Sequence, residues 1–336
     1  MREKTVVALD CMGGDNAPGE IVKGAVDAVS KSDAVKVMLF GTEDKIVSEL
    51  SKYNYDKDRL EVIPTTEIIE TFEHPVKAIT RKKNSSMVRA LEAVKNKEAD
   101  AVVSAGNSGA LLAGGQLRVG RIKGVLRSPF APLIPTEKGP ALLVDSGANV
   151  DSKPEWLVQF AVMGSVYMKD IMKIDNPRVA IVNVGAEEEK GNSLVKETFP
   201  LLKARTDINF IGSIEAREIP AGYADVIVCD AFVGNVILKM YEGVAKSFMK
   251  IMKKAFTSNI KTKIGAALSI KALKGELKRF DVSAYGGAPM LGLNGLVVKT
   301  HGSATSKEVC TSILQCIDFK EMNIKETITD KLGLDK

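Results

Sequence analysis

TVVALDCMGGDNAPGEIVKGAVDAVSK, residues 5–31, is the stretch on which the reading of the fold turns. A short run rich in β-branched residues, TVVALD, ends at Asp10, a glycine pair follows, and Pro18 opens a helical pattern that reaches Lys31. Strand, glycine turn and helix start are the opening of a βαβ unit. Such a turn gathers free main-chain N–H groups and suits an anion. Two carboxylates, Asp10 and Asp15, flank this one, and they would repel phosphate if they faced it.

The same pattern recurs along the chain. Further strand candidates lie at 35–41, 60–64, 101–106, 141–147, 178–185, 208–213 and 225–230, and helical patterns at 18–31, 43–53, 75–97, 154–173 and 192–205 fit between them. This alternation predicts a three-layer α/β/α fold with a mainly parallel sheet and helices on both faces. Ligands in such folds collect at the carboxyl ends of the strands. Pro129, Pro132 and Pro135 interrupt the pattern and mark a plausible domain boundary.

At 336 residues the chain can bury a large core, and its 45% hydrophobic and 26% charged residues are ordinary for a globular protein. The first apolar run stops at Asp10, too soon for a signal peptide, and no later run reaches spanning length. Cys11, Cys229, Cys310 and Cys316 form no CxxC pair, which fits a reducing cytosol; His74 and His301 are far apart, and no metal-ligand spacing occurs. Neither a metal nor an organic cofactor is expected. The net charge of +5 is uneven: residues 244–280 hold nine Lys and one Arg against one Glu, a local +9.

Four more strand ends run into glycine, amide and charged residues. After 101–106, Asn107 and Ser108 fall at a helix N-cap, with Gly109 allowing close approach of a ligand. After 141–147 comes DSGANVD, beginning at Asp145; after 178–185 comes GAEEEKGNS, in which Lys190 precedes Gly191, the reverse of a P-loop. Lys190, Asn192 and Ser193 remain donors for a free phosphate at the next helix start, while the triplet Glu187–Glu189 argues against a bare anion hole unless those side chains point into solvent. After 225–230, Asp230 is followed by Gly234, Asn235 and Lys239, and a glycine-rich stretch, 283–302, ends beside His301. Such loops are expected to meet along one edge of the sheet.

DCMGGDNAP, KKNSSMVRALEAVK, ADAVVSAGNSGALL, VDSGANVD, GAEEEKGNS, ADVIVCDAFVGNVILK and YGGAPMLGLNG…HG, in this order and spacing, resemble the blocks of bacterial phosphate acyltransferases of glycerophospholipid synthesis. Ser108, Ala231 and Met290 stand where that family usually has Thr, Gly and Leu. The resemblance implies one acyltransferase unit over 1–336 made of two interleaved lobes around a cleft, similar to phosphotransacetylases and isocitrate-type dehydrogenases. It implies that inorganic phosphate attacks an acyl thioester on acyl carrier protein. It also implies a homodimer in the cytoplasm, held peripherally at the inner face of the membrane.

Phosphate is already an anion, so the attack needs no protein nucleophile, and the chain has neither a G-x-S-x-G elbow nor a Cys/His pair. It needs phosphate capture, orientation and donors for the oxyanion. Lys190, Asn192 and Ser193 are the first candidates for capture; Asn107, Ser108 and Gly109 serve phosphate or oxyanion, and Asn235 and Lys239 are weaker donors. His301 either protonates the departing thiolate or makes a structural hydrogen bond. Asp10, Asp15, Asp145 and Asp230 are expected to accept hydrogen bonds from loop N–H groups and lysines, with helix capping as the alternative for Asp15. Ser85 and Ser86, next to a charged helix face, are raised as cleft residues by the resemblance.

In 244–280 the lysines, among them Lys250, Lys253, Lys254, Lys261 and Lys263, alternate with apolar residues that include Phe256 and Ile260. Dimer packing, an amphipathic surface helix and docking of the acidic carrier all fit this charge, whereas no aromatic interleaving supports nucleic acid. Gly265 and Gly275 suggest a projecting helix–turn–helix. Competing functions are a phosphotransacetylase using acyl-coenzyme A, a dehydrogenase, disfavoured by the missing dinucleotide fingerprint, and a silent membrane scaffold.

Overall fold

The computed structural model describes residues 4–277 and 285–334. The end of the basic tract, 278–280, and the first two residues of the glycine-rich stretch, 283–284, lie outside the described residues. The strands are β1 (Thr5–Asp10), β2 (Val35–Gly41), β3 (Leu60–Pro64), β4 (Ala101–Ser104), β5 (Leu133–Thr136), β6 (Gly139–Val144), β7 (Arg178–Val182), β8 (Asn209–Ile214), β9 (Val226–Val228), β10 (Ala288–Met290) and β11 (Leu296–Lys299). The helices are α1 (Gly19–Lys31), α2 (Glu43–Leu50), α3 (Pro75–Arg81), α4 (Ser86–Lys95), α5 (Ser108–Gly114), α6 (Pro154–Asp170), α7 (Ser193–Lys203), α8 (Ala231–Phe256), α9 (Ile260–Leu277), α10 (Ser306–Glu321) and α11 (Ile324–Lys331). This is an α/β protein of mostly parallel sheets with helices on both sides.

The chain divides into two compact units. The first comprises the described parts of Met1–Pro132, Val162–Asn176 and Ser283–Lys336 and holds a six-stranded sheet, order β10-β11-β4-β1-β2-β3. Only the β10–β11 pair in it is antiparallel. Because side chains alternate across a strand, Val7, Leu9, Val37 and Leu39 enter the core cluster that α1 and α10 cover with Ile21, Val22, Val309 and Ile313. α4 packs against β1, β2 and β4, with Met87, Val88 and Leu91 buried. Sheets covered on both faces read as continuous apolar runs, which is how TVVALD reads.

The second unit, Leu133–Ala161 and Pro177–Val282, holds a five-stranded sheet, order β5-β6-β9-β7-β8, with β5 antiparallel. Ala141, Leu143, Ala180 and Ile227 form a core with Ile219 of a 3₁₀ turn, and Val233, Ile237 and Tyr241 of α8 pack on it. α7 packs against β7 and β8, where the Phe199 ring meets Phe210 edge-on at 5.2 Å.

Several expectations need correction. The strand ends do not share one sheet edge: β1, β4 and β11 belong to one sheet and β6, β7 and β9 to the other. The helix expected over 75–97 is two helices, because Ser85 caps α4 by accepting the Val88 N–H at 3.3 Å and Asn84 N–H donates to Glu67 at 2.9 Å, turning the chain between them. Gly265 and Gly275 do not break the basic tract; both lie inside α9, and the turn falls at Thr257–Asn259, where Asn259 Oδ1 accepts the Thr262 N–H at 3.0 Å. Strands β5, β10 and β11 were not foreseen. Their short runs lie among prolines and glycines, and pairing across the sheet decides them.

Candidate active site

In the first unit three parallel strands, β11, β4 and β1, end side by side, with Ser104 in register with both Asp10 and Lys299. The Asp10 carboxylate is buried and accepts from Ser104 Oγ at 2.7 Å and from the Met12 N–H at 3.3 Å. Burial raises its pKa, opposed by hydrogen bonds from Ser86, Ser104, Met12 and Gly13. The turn lies close against the neighbouring loop: a β-carbon on Gly13 would stand 2.6 Å from Asp10 Oδ2 and 2.7 Å from Gly106 Cα. Asp10 therefore spends its charge inside the protein, and the difficulty posed by a carboxylate beside an anion turn disappears for it.

Asp15 behaves differently. It is exposed, its main-chain N–H donates to the Gly302 carbonyl at 2.7 Å, and the residue at the N-cap of α1 is Pro18. The expected helix cap is therefore not Asp15. Asn107 caps α5 as expected, its Oδ1 accepting the Ala110 N–H at 3.0 Å. Its Nδ2 donates to the carbonyls of Glu70, Thr71 and Glu73 at 3.0–3.2 Å. The Asn107 side chain is thus committed to the protein, while the N–H groups of Ser108 and Gly109 in the first turn have no intrahelical partner. His301 follows β11 and is exposed. Its Nδ1 lies 2.8 Å from the Ser303 hydroxyl and 3.2 Å from the Ser303 main-chain nitrogen, so this side of the ring is held by the loop.

In the second unit β6, β9 and β7 end side by side. Asp145, fully buried, accepts from the N–H groups of Gly147, Ala148 and Asn149 at 3.2, 3.1 and 2.8 Å and from Asn149 Nδ2 at 2.7 Å. Asp230 caps α8, accepting from Phe232 and Val233 N–H at 2.9 and 3.0 Å, while Ala231 N–H donates to Asn149 O at 3.0 Å. The first turn of α8 is therefore saturated and carries a carboxylate. α7 is capped instead by the neutral amide of Asn192, whose Oδ1 accepts the Val195 N–H at 2.9 Å. Asn192 and Ser193 are exposed, and so is Asn235 on α8.

Lys190, just ahead of α7, has an ammonium 2.7 Å from Glu187, and each partner shifts the other: the lysine pKa is raised and the Glu187 carboxyl is lowered, chiefly by this bond. Glu188 pairs with Lys203 at 2.6 Å. Lys190 ahead of α7 and Lys203 at its end thus pair with glutamates. Sequence reading passed over Ser104, Lys299, Asn149 and Asn183. Asn183 Nδ2 donates to the Lys190 carbonyl at 3.2 Å and shapes the loop at Gly191, whose φ is +104°. A polar residue at the end of an apolar strand was the signal available for Ser104.

The basic tract forms the outer part of α8 together with α9. Lys250, Lys253, Lys254, Ile260, Lys261 and Lys263 are exposed and Phe256 is half-buried. Phe248, Ile251 and Leu268 are also exposed. Among the described residues, no helix is long and apolar enough to cross a membrane, and no group of three or more His, Cys, Asp or Glu side chains is placed to hold a metal.

The sequence matches the family model described as fatty acid synthesis protein over residues 5–327. It is 45% identical over 327 residues to a phosphate acyltransferase of Clostridium acetobutylicum, covering 97% of this chain and 98% of that one. It is 50% identical over 324 residues to a phosphate acyltransferase of Alkaliphilus oremlandii, covering 96% of each. Among solved structures it is similar in fold to the EutD phosphotransacetylase from Staphylococcus aureus, with TM-score 0.59 and 18% identity over 95% of this chain and 94% of that one. A putative 4-hydroxythreonine-4-phosphate dehydrogenase from Salmonella typhimurium has TM-score 0.53 at 14% identity, covering 94% of this chain and 99% of that one.

Proposed function

The chain belongs to the phosphate acyltransferase family, and we propose that its acyl donor is a fatty acyl thioester of acyl carrier protein, attacked directly by inorganic phosphate. Acyl transfer to phosphate follows from the family; donor, product and mechanism are our reading. A phosphate oxygen bonds to the thioester carbon, the C–S bond breaks, the carrier leaves as a thiol after taking a proton, and the product is an acyl phosphate.

The observation that carries direct attack is the state of the thiols. All four cysteines are buried free thiols, and burial is the chief force raising the pKa of each. A thiol held in that form is a poor nucleophile. The role left to the protein is to hold and aim an anion. Lys190, Asn192 and Ser193 support capture, because α7 starts with a neutral cap, exposed donors and an adjacent cation. Ser108, Gly109 and Asn235 are the donors proposed for the oxyanion or for phosphate, and Asn107 positions the first two. His301, as the imidazolium, is the group proposed to protonate the leaving thiolate, returning to the neutral ring as it gives up the proton. Asp10, Asp145 and Asp230 hold loops and caps, and exposed Asp15 ties its loop to Gly302 through its main chain.

The exposed lysines and apolar residues of α8 and α9 support association with an anionic membrane surface from the cytoplasmic side and pairing with a second copy. Acidic carrier protein suits the same positive field.

The test is to incubate purified protein with phosphate and either palmitoyl-carrier protein or acetyl-coenzyme A, trapping acyl phosphate with hydroxylamine. Hydroxamate from the carrier donor is expected. Hydroxamate from the coenzyme alone would overturn the donor assignment, and a competent acylated side chain would overturn direct attack.

A further inference from the structure

The carboxyl ends of β11, β4 and β1 are joined by an unbroken line of hydrogen bonds that begins at a cation and finishes at an anion. Lys299, half-buried at the end of β11, donates from Nζ to the Ala105 carbonyl at 3.2 Å and also to the Thr300 carbonyl. The Ala105 carbonyl and the Gly106 N–H belong to one planar peptide group, so holding the oxygen fixes the direction of the hydrogen. That Gly106 N–H donates to Ser104 Oγ at 3.0 Å, and Ser104 Oγ donates to Asp10 Oδ2 at 2.7 Å. The Ser104 carbonyl is held as well, by Thr300 N–H at 3.0 Å. Ammonium, peptide, hydroxyl and carboxylate thus align head to tail, each dipole strengthening the next.

We infer that Lys299 and Ser104, acting with Asp10, form a positioning device that sets the orientation of the Gly106–Gly109 loop and thereby the aim of its N–H donors. The inference deepens the proposed function, since it rests on that loop serving phosphate or the oxyanion. Lys299 is a positioning residue here, acting through the Ala105–Gly106 peptide rather than on the reacting atoms. The buried Asp10 carboxylate acquires a reason: it terminates the line with negative charge, as Lys299 begins it with positive charge.

The experiment is a mutant cycle in the full-length protein with Lys299→Met, Asp10→Asn and the double variant, with Lys299→Arg and Ser104→Ala alongside. Each is assayed for the KM of phosphate and kcat by hydroxamate trapping, and the Gly106 amide is followed by ¹⁵N NMR. Lys299→Met is expected to raise the KM of phosphate or lower kcat by about tenfold, with Lys299→Arg recovering most of the loss and the double variant little worse than the worse single one. The Gly106 amide is expected to shift in Lys299→Met and in Ser104→Ala, a signature that also reads out in a variant too slow to assay. Multiplicative effects in the cycle, or an unmoved Gly106 amide in Lys299→Met, would overturn the inference while leaving the acyltransferase reading intact. If unaltered protein makes no acyl phosphate, the proposed function fails, and the amide shifts still report whether the hydrogen-bonded line exists.

Discussion

Gly234 and Asp145 touch through their backbones: a β-carbon on residue 234 would lie 1.9 Å from the Asp145 carbonyl oxygen. No side-chain movement relieves that contact, because the atom it meets belongs to the main chain. The first turn of α8 and the loop after β6 are therefore locked at that distance.

Gly234→Ala is expected to destabilise the protein by several kcal/mol, at the severe end for single substitutions. Gly243→Ala is its control in the same helix, since a β-carbon there meets nothing within 4 Å. That change should stabilise by about 0.5–1 kcal/mol through helix propensity. Thermal melts of the two variants check the pair, and equal shifts would contradict the contact.

Asp145→Ala removes the acceptor for three loop N–H groups and for Asn149 Nδ2. Bonds to a charged acceptor contribute about 1.5–3 kcal/mol each, so the loop should open and the melting temperature fall by many degrees. Limited proteolysis within 146–151 is expected to appear in the variant and not in the parent. Asp145→Asn, which keeps part of the acceptor capacity, should lie between them.

Glu20 supplies the pH dependence. Its Oε2 accepts the Ser306 N–H at 2.6 Å at the start of α10, and the bonds from Ser306 hold its carboxyl below the usual value of 4.5. A depressed carboxyl adds stability that is present above its unfolded pKa and lost as pH falls through the folded one. Glu20→Gln should therefore cost about 1 kcal/mol near neutrality, discounted for a half-exposed site, and progressively less below pH 4.5. Urea titrations of both proteins at several pH values measure the closing gap.

Glu187 competes with phosphate for Lys190 in the proposed site. Glu187→Gln is expected to lower the KM of phosphate several-fold by freeing the ammonium, whereas Lys190→Ala should raise it by about tenfold or more. Combining Lys190→Ala with Asn192→Ala should abolish turnover, and full activity in that double variant would remove α7 from the mechanism.

Membrane association is checked by flotation with liposomes. The protein should float with anionic vesicles and not with neutral ones, and reversing Lys253, Lys254, Lys261 and Lys263 to Glu should abolish it, since each lysine near such a surface contributes about 1 kcal/mol. Equal flotation with both vesicle types would leave the basic tract without this role.

The legible parts of the fold were those set by near neighbours. β1, β2 and β3 have the bounds their β-branched runs suggested, and Asn107 caps a helix where a strand gave way to glycine and amide. Asp10 and Asp145 were legible as loop holders, because a carboxylate beside glycine-rich turns finds N–H donors within a few residues. Ser85 was harder. It ends one helix expectation and begins another, and only its pairing with the Glu67 segment makes the chain turn there. At Lys190 the sequence holds both a helix start that suits phosphate and the triplet Glu187–Glu189 that opposes it, and the structure pairs the lysine with Glu187 at 2.7 Å.

By itself the sequence determined strands, helix starts and glycine turns, since these follow from side-chain branching, capping and backbone sterics over a handful of residues, together with the family its blocks belong to. Tertiary structure alone decided that the strands divide into two sheets and that β10 and β11 exist. It alone brought Lys299 to Ala105 and Ser104 to Asp10 across separations of 194 and 94 residues. The physical reason is that a short strand or a half-buried polar group acquires its partner only when a neighbouring strand closes the hydrogen bonds left open by its own segment.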